Sequence, residues 1–329
     1  MRRLNNIGTI IFLFVAISVV PLTFVRSAVG AAGDTPSAAA QPGQSAASPA
    51  DSEYVGAERC KTCHEKNYDS WSKSVHFRTT LDTRGGPSKQ GCEACHGAGA
   101  SHAADPSDKS KIFLFKKASP GEVNARCLTC HASGPTHLNS PNSFHRQNDV
   151  SCIDCHSPHH ATVKESLLVK SQPALCYSCH LQQKSQFNMP EHHRVNEGLI
   201  QCTDCHNQHG TGGVWESDHL VRQLRTSDSG DFVCYKCHAD KQGPFVFAHA
   251  SVKVEGCATC HIPHGGANPH MLKYSNVNLL CLQCHTTAAL PHGPSMDKVM
   301  DAQNATQQQA CTLCHVQIHG SNFSNYFFR

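Results

Sequence analysis

Ten copies of Cys-x-x-Cys-His, the use of all twenty cysteines by those copies, and an aromatic content of only 7% predict a multihaem cytochrome c fold. That fold is mostly coil with short α-helices, wrapped around a chain of haems and built from dihaem repeats. In each motif two thiols add across the haem vinyl groups, and the adjacent histidine is held under the iron as proximal ligand. The copies are Cys60-Cys63-His64, Cys92-Cys95-His96, Cys127-Cys130-His131, Cys152-Cys155-His156 and Cys176-Cys179-His180, then Cys202-Cys205-His206, Cys234-Cys237-His238, Cys257-Cys260-His261, Cys281-Cys284-His285 and Cys311-Cys314-His315. A zinc ribbon, a redox pair or a disulfide framework would also use paired cysteines. None of them requires a histidine after every pair.

Residues 1–31 read as a secretory signal peptide. Arg2 and Arg3 precede an almost wholly apolar run from Ile7 to Val25, and small residues follow from Ser27 to Ala32. The alternative is an uncleaved membrane anchor, and Pro21 inside the run favours cleavage. Export is what covalent haem attachment outside the cytoplasm requires. Residues 32–53 are rich in Ala, Ser, Pro, Gly and Gln and read as a flexible linker. From Tyr54 onward the motifs follow one another closely, with Gly, Pro, Asn and Ser between them. That leaves little room for a long helix or a sheet, and the polypeptide has too few apolar residues for a core of its own. The haems are expected to be the core.

The motifs alternate between two kinds. Five are followed by a trailing histidine: His96 by His102, His156 by His159, His206 by His209, His261 by His264 and His315 by His319. The other five, ending in His64, His131, His180, His238 and His285, are plain. Each plain motif is followed by a free histidine: His76, His145, His192 or His193, His249 and His292. The repeating unit is therefore plain motif, free histidine, second motif, trailing histidine. Five units start at Cys60, Cys127, Cys176, Cys234 and Cys281, which predicts an elongated stack. Ten repeated spare histidines match ten proximal ones, enough to give every iron two imidazoles. His192 is preferred over His193, because its offset to Val195 matches that of His249 to Val252. His137, His160, His219 and His270 are left over as loop residues. Spacing does not say which spare histidine serves which iron.

Methionine is the competing axial ligand, and Met189, Met271, Met296 and Met300 do not recur within the units. Two histidines leave haem at a lower potential than methionine does. Turnover of nitrite or peroxide needs an open iron, and no Cys-x-x-Cys-Lys variant motif is present. The reading is an electron-transfer protein and not an enzyme. The formal charge of +3 falls to about zero without Arg2, Arg3 and Arg26. Ten haems with ionised propionates then bring the holoprotein to roughly −10 oxidised and roughly −20 reduced. Nucleic acid is excluded as a partner on that balance.

Cys202-Thr-Asp-Cys-His-Asn-Gln-His-Gly, Val233-Cys-Tyr-Lys-Cys-His-Ala-Asp-Lys-Gln-Gly-Pro-Phe, Glu255-Gly-Cys-Ala-Thr-Cys-His-Ile-Pro-His-Gly and Tyr54-Val-Gly-Ala before Cys60 resemble the MtrA/DmsE-type periplasmic decahaem cytochromes. The resemblance runs from Tyr54 to about Gly320. It implies a haem wire of two pentahaem halves, residues 54–181 and 182–329. It also implies a periplasmic location and docking into an outer-membrane β-barrel porin. Electrons would come from a periplasmic or inner-membrane cytochrome and leave to an outer-surface multihaem cytochrome or reductase. The rivals are a freely diffusing periplasmic shuttle and a multihaem reductase with one open haem. The aromatic tail Asn322-Phe-Ser-Asn-Tyr-Phe-Phe-Arg329 has no match in the family, and reads equally as a packed terminus or a partner contact.

Overall fold

A computed structural model describes residues 53–134, 136–211, 223–226, 232–285 and 310–328. The signal-peptide and linker readings up to residue 52, His219 and the expected ligand His292 lie outside the described residues. All ten motifs belong to one compact unit, Ala47–Arg329. Among the described residues no helix is long and apolar enough to cross a membrane.

The architecture is coil with short helices. Among the described residues the two longest helices both carry plain motifs: α1, Ala57–Trp71, holds Cys60 to His64, and α2, Pro120–His131, ends on Cys127 to His131. A capping box starts α2. The Ser119 hydroxyl accepts from the Glu122 N–H, the Glu122 carboxylate accepts from the Ser119 N–H, and Pro120 occupies the first turn where no N–H is needed. Most other motifs occupy a single turn, such as Cys152–Cys155, Cys202–Cys205, Cys257–Thr259 and Cys311–Leu313. The one sheet among the described residues pairs β1, Phe247–Ala248, antiparallel with β2, Gly320–Ser321.

Few apolar side chains of the described residues are buried: Ala57, Trp71, Val123, Leu167, Phe187, Val195, Val233 and Tyr235. Buried amides instead tie motifs together. Asn124, 4% exposed, accepts the Cys152 N–H at 2.8 Å, joining the two motifs of the second unit. Asn278, 5% exposed, accepts the Cys311 N–H at 2.8 Å and does the same in the fifth. In the third unit Gln172 accepts the Thr203 N–H at 3.3 Å. Removing such an acceptor strands a buried donor, which costs about 1–3 kcal/mol. Asn124→Ala is therefore expected to lower the unfolding free energy of the holoprotein by that amount, read as an earlier denaturant midpoint.

Candidate haem ligands

Between two imidazoles on one iron, a metal–nitrogen bond of about 2 Å on each side plus the ring radii separates the ring centres by about 6 Å. Nine of the ten motif histidines face another histidine at that distance. The trailing histidines pair backward along the chain. His159 faces His96 at 6.1 Å, His209 faces His156 at 6.1 Å, His264 faces His206 at 6.0 Å and His319 faces His261 at 6.3 Å. The free histidines pair forward: His76 with His131 at 6.0 Å, His145 with His180 at 6.0 Å, His193 with His238 at 6.2 Å and His249 with His285 at 6.2 Å. Each unit thus lends its free histidine to the next plain motif and receives the next unit's trailing histidine for its own second motif. At the first unit, which has no predecessor, His102 faces His64 at 6.4 Å. The tenth motif histidine is His315, and the histidine left for it by the order of the repeat is His292.

Backbone carbonyls fix these rings from behind. Nδ1 of His96 donates to the Phe113 carbonyl at 3.0 Å, that of His156 to Ser166 at 2.7 Å, that of His261 to His270 at 2.9 Å and that of His315 to Tyr326 at 2.5 Å. Among the free histidines, Nδ1 of His145 donates to Gln208 at 3.0 Å and that of His193 to Pro263 at 2.5 Å, and the Ile318 backbone lies by His249, whose Nε2 is 3.5 Å from the Ser251 hydroxyl. Gln208, Pro263 and Ile318 each directly precede a trailing histidine. A carbonyl on Nδ1 places the proton there and leaves the Nε2 lone pair for a metal. His76 departs from the pattern, since its buried Nδ1 has no partner. Burial pushes His159 and His209 down to about 4, the neutral form a ligand needs.

Glycine lets the trailing histidines reach back. Gly210, after His209, has φ +93°, and a Cβ there would stand 2.8 Å from the Asn139 carbonyl oxygen of the preceding unit. Gly265, after His264, has φ +146° and lies against Gln186 and His192.

The sulfurs report the order of the sites. Within each unit the first cysteines of the two motifs lie side by side: Cys60 by Cys92, Cys127 by Cys152, Cys176 by Cys202, Cys234 by Cys257 and Cys281 by Cys311. The neighbouring sulfur is what chiefly holds Cys152, Cys202 and Cys234 at about 7. In the fifth unit, burial and then Cys311 push Cys281 up to about 11. Between units the second cysteines meet. Cys95, Cys155, Cys205 and Cys260 are raised first by burial, and the nearby Cys130, Cys179, Cys237 and Cys284 respectively raise them further. The attachment points therefore neighbour one another in chain order, alternating first and second cysteines.

Residues 145–185, 192–243 and 249–290 match the family described as "Doubled CXXCH motif", and residues 59–90 and 98–157 match "Cytochrome c554 and c-prime". The chain is 32% identical to "Multiheme cytochrome MtrA" of Shewanella baltica (strain OS185) over 275 residues, which covers 81% of this chain and 79% of that protein. This chain belongs to the MtrA family of multihaem cytochromes. It is also 25% identical to "Cytochrome c-type protein NrfB" of Escherichia coli O6:H1 over 48% of this chain and 85% of that protein. Membership of the MtrA family makes it an electron-transfer protein that carries haem c, which supplies a one-electron ferric/ferrous couple.

Within this MtrA-family chain the geometry corrects one expected ligand. His192 is not the ring opposite His238. Its Nε2 is bonded to Glu197 at 3.0 Å, which raises its pKa, and its Nδ1 donates to the Met189 carbonyl. His193 occupies the register shared by His145 and His249. The offset to Val195 misleads because it ignores the next unit's carbonyl, which is the anchor. Of the other surplus histidines, His137 sits 4.5 Å from His209 and 5.5 Å from His131, and His160 is bonded to Asn67 at 3.1 Å. His270 supplies its carbonyl to His261. The carbonyl anchors have no motif of their own in the sequence. The signal available was a recurring residue pattern after three of the trailing histidines, Leu167-Leu168, Gln223-Leu224 and Met271-Leu272.

Proposed function

We propose that the chain binds ten haems c, each iron held by two histidines, and passes electrons from haem to haem in chain order. The pairs are those above with His193 in place of His192, completed by His315 with His292. The observation that carries this reading is the exchange of histidines between neighbouring units at a constant ring separation. Two imidazoles at each iron keep the potentials low and leave no coordination position for a substrate. The same reading places the protein in the periplasm, elongated, in two pentahaem halves. It accepts electrons from a periplasmic or inner-membrane cytochrome and delivers them through an outer-membrane β-barrel porin to an outer-surface multihaem cytochrome or reductase. The support for that assembly is the similarity to MtrA over four-fifths of the chain.

Intact-mass measurement of the mature protein is expected to show ten haem additions, and its ferric spectrum to be low-spin throughout. The electron paramagnetic resonance envelope should contain two low-spin families. Backward pairs have near-parallel rings, 15° to 37°, whereas three of the forward pairs are crossed at 63° to 85°. Parallel rings split the pair of iron orbitals that overlap their π systems, and crossed rings leave that pair nearly degenerate. A substantial high-spin fraction in the intact protein would instead favour the reductase with one open haem.

A further inference from the structure

The second motifs share a device. In the second to fifth units a residue with left-handed backbone lies behind the second motif: Leu167 (φ 53°), Gln223 (φ 49°), Met271 (φ 56°, with His270 before it also at φ 56°) and Phe327 (φ 58°). The carbonyl of the preceding residue receives Nδ1 of the motif histidine in the second, fourth and fifth units, through Ser166, His270 and Tyr326. The carbonyl of the left-handed residue itself accepts a backbone N–H from just beyond that histidine: Ser157 to Leu167, Asn207 to Gln223, Ile262 to Met271, and Gln317 to Phe327 with a one-residue offset. The next residue is Leu168, Leu224, Leu272 or Phe328, and the three leucines bridge back to His156, His206 and His261. The aromatic segment near residue 329 is therefore the fifth unit's copy of this return and not an unrelated tail.

It also differs from the other copies. Phe328 packs on the His315 ring at 5.1 Å, and Phe327 packs on the His249 ring at 5.4 Å. His249 belongs to the one forward pair with near-parallel rings, 20° from His285, where the other three are crossed at 63° to 85°. The route to that position is fixed. β2 pairs with β1, the Asn322 side chain accepts the Val246 N–H at 2.9 Å, and Gly320 (φ +149°) lies so close to the Phe245 ring that no Cβ fits.

We infer that Tyr326, Phe327 and Phe328 are positioning residues for the last two irons: the Tyr326 carbonyl orients His315, and the Phe327 ring turns His249 into the near-parallel arrangement. The inference rests on ligation of iron by His315 and His249. A carbonyl on Nδ1 fixes the ring and makes it a more basic ligand, which favours ferric iron. Loss of that carbonyl should change the ferric/ferrous balance of one haem about tenfold, an upward shift of about 59 mV.

The test compares three forms of the exported holoprotein: the parent, a chain ending at Asn325, and Phe327→Gly. Glycine keeps the left-handed backbone and the Tyr326 carbonyl but removes the ring. All three are expected to carry the same number of haems by intact mass. In Phe327→Gly one haem should move from the near-parallel to the crossed resonance family, with the potentials unchanged. In the shortened chain the same move should be joined by an upward shift of one potential. Resonance and potentials superimposable on the parent in the shortened chain would overturn the inference, as would loss of a haem from it, which would make the segment an attachment element. A parental resonance in Phe327→Gly would overturn the role assigned to the ring. A parent lacking low-spin haem at the ninth and tenth motifs would refute the ligation itself, a separate failure.

Discussion

Replacing His209 by alanine is expected to raise the potential of the haem on Cys152 and Cys155 by about 60 mV or more, and to slow electron flow along the chain about tenfold, with no haem lost. His209 follows the sixth motif, yet its ring faces His156 of the fourth, 6.1 Å away and only 20° from parallel. The thioethers and His156 still hold that haem when His209 is gone, so folding should suffer less than conduction. A haem of raised potential in the middle of a series is a trap, because each electron must climb out of it to reach the next site. His137 is placed to intervene, 4.5 Å from the His209 ring. The decisive form is therefore His137→Ala with His209→Ala, in which one haem in ten should become high-spin. His137→Ala alone should leave the potentials as they were. A parental potential profile and a fully low-spin double variant would show that His209 is not a ligand.

The cofactor and the repeat were legible because covalent attachment demands a contiguous motif. Coil with short helices followed from the same spacing, since a motif needs only one turn and the next arrives soon after. Which histidine faces which motif was not legible. His264 and His206 meet across 58 positions of sequence, and neither the trailing nor the free histidine faces the motif it stands beside, not even His102 of the first unit, which faces His64. Beyond that unit each lies across a boundary, so the local offsets that expose the repeat carry no information about the pairing.

His192 shows how a local rule fails. It and His193 are adjacent and equally polar, the offset to Val195 favours His192, and yet the Pro263 carbonyl 70 residues away holds His193. The aromatic segment was opaque for the opposite reason. Its pattern is the one that ends in Leu168, Leu224 and Leu272, but Phe328 replaces the leucine and Tyr326 precedes it, so composition hid the repeat. Asn124 and Asn278 are likewise ordinary residues in sequence. Their importance comes from burial beside the N–H of a motif's first cysteine, Cys152 and Cys311 respectively.

Electron transfer across a membrane by this chain is expected only when a barrel surrounds it. Among the described residues no helix can span a bilayer, and the strands are two residues long, far short of the nine to eleven or so that a barrel strand needs. Unpaired polar groups facing hydrocarbon cost several kilocalories each, so a coil-rich surface with many exposed peptide groups requires a polar lining around it. A porin lumen supplies one, and also insulates the haem series from lipid. Liposomes enclosing an electron acceptor and supplied with external reductant test this. Acceptor reduction should be fast with cytochrome and porin together, and should fall to the background of empty vesicles, at least about a hundredfold lower, with either one alone. Equal rates with the cytochrome alone would refute the need for a sheath. Background rates with the complete pair would make the diffusing periplasmic shuttle the better reading, while leaving the haem series and its ligand exchange intact.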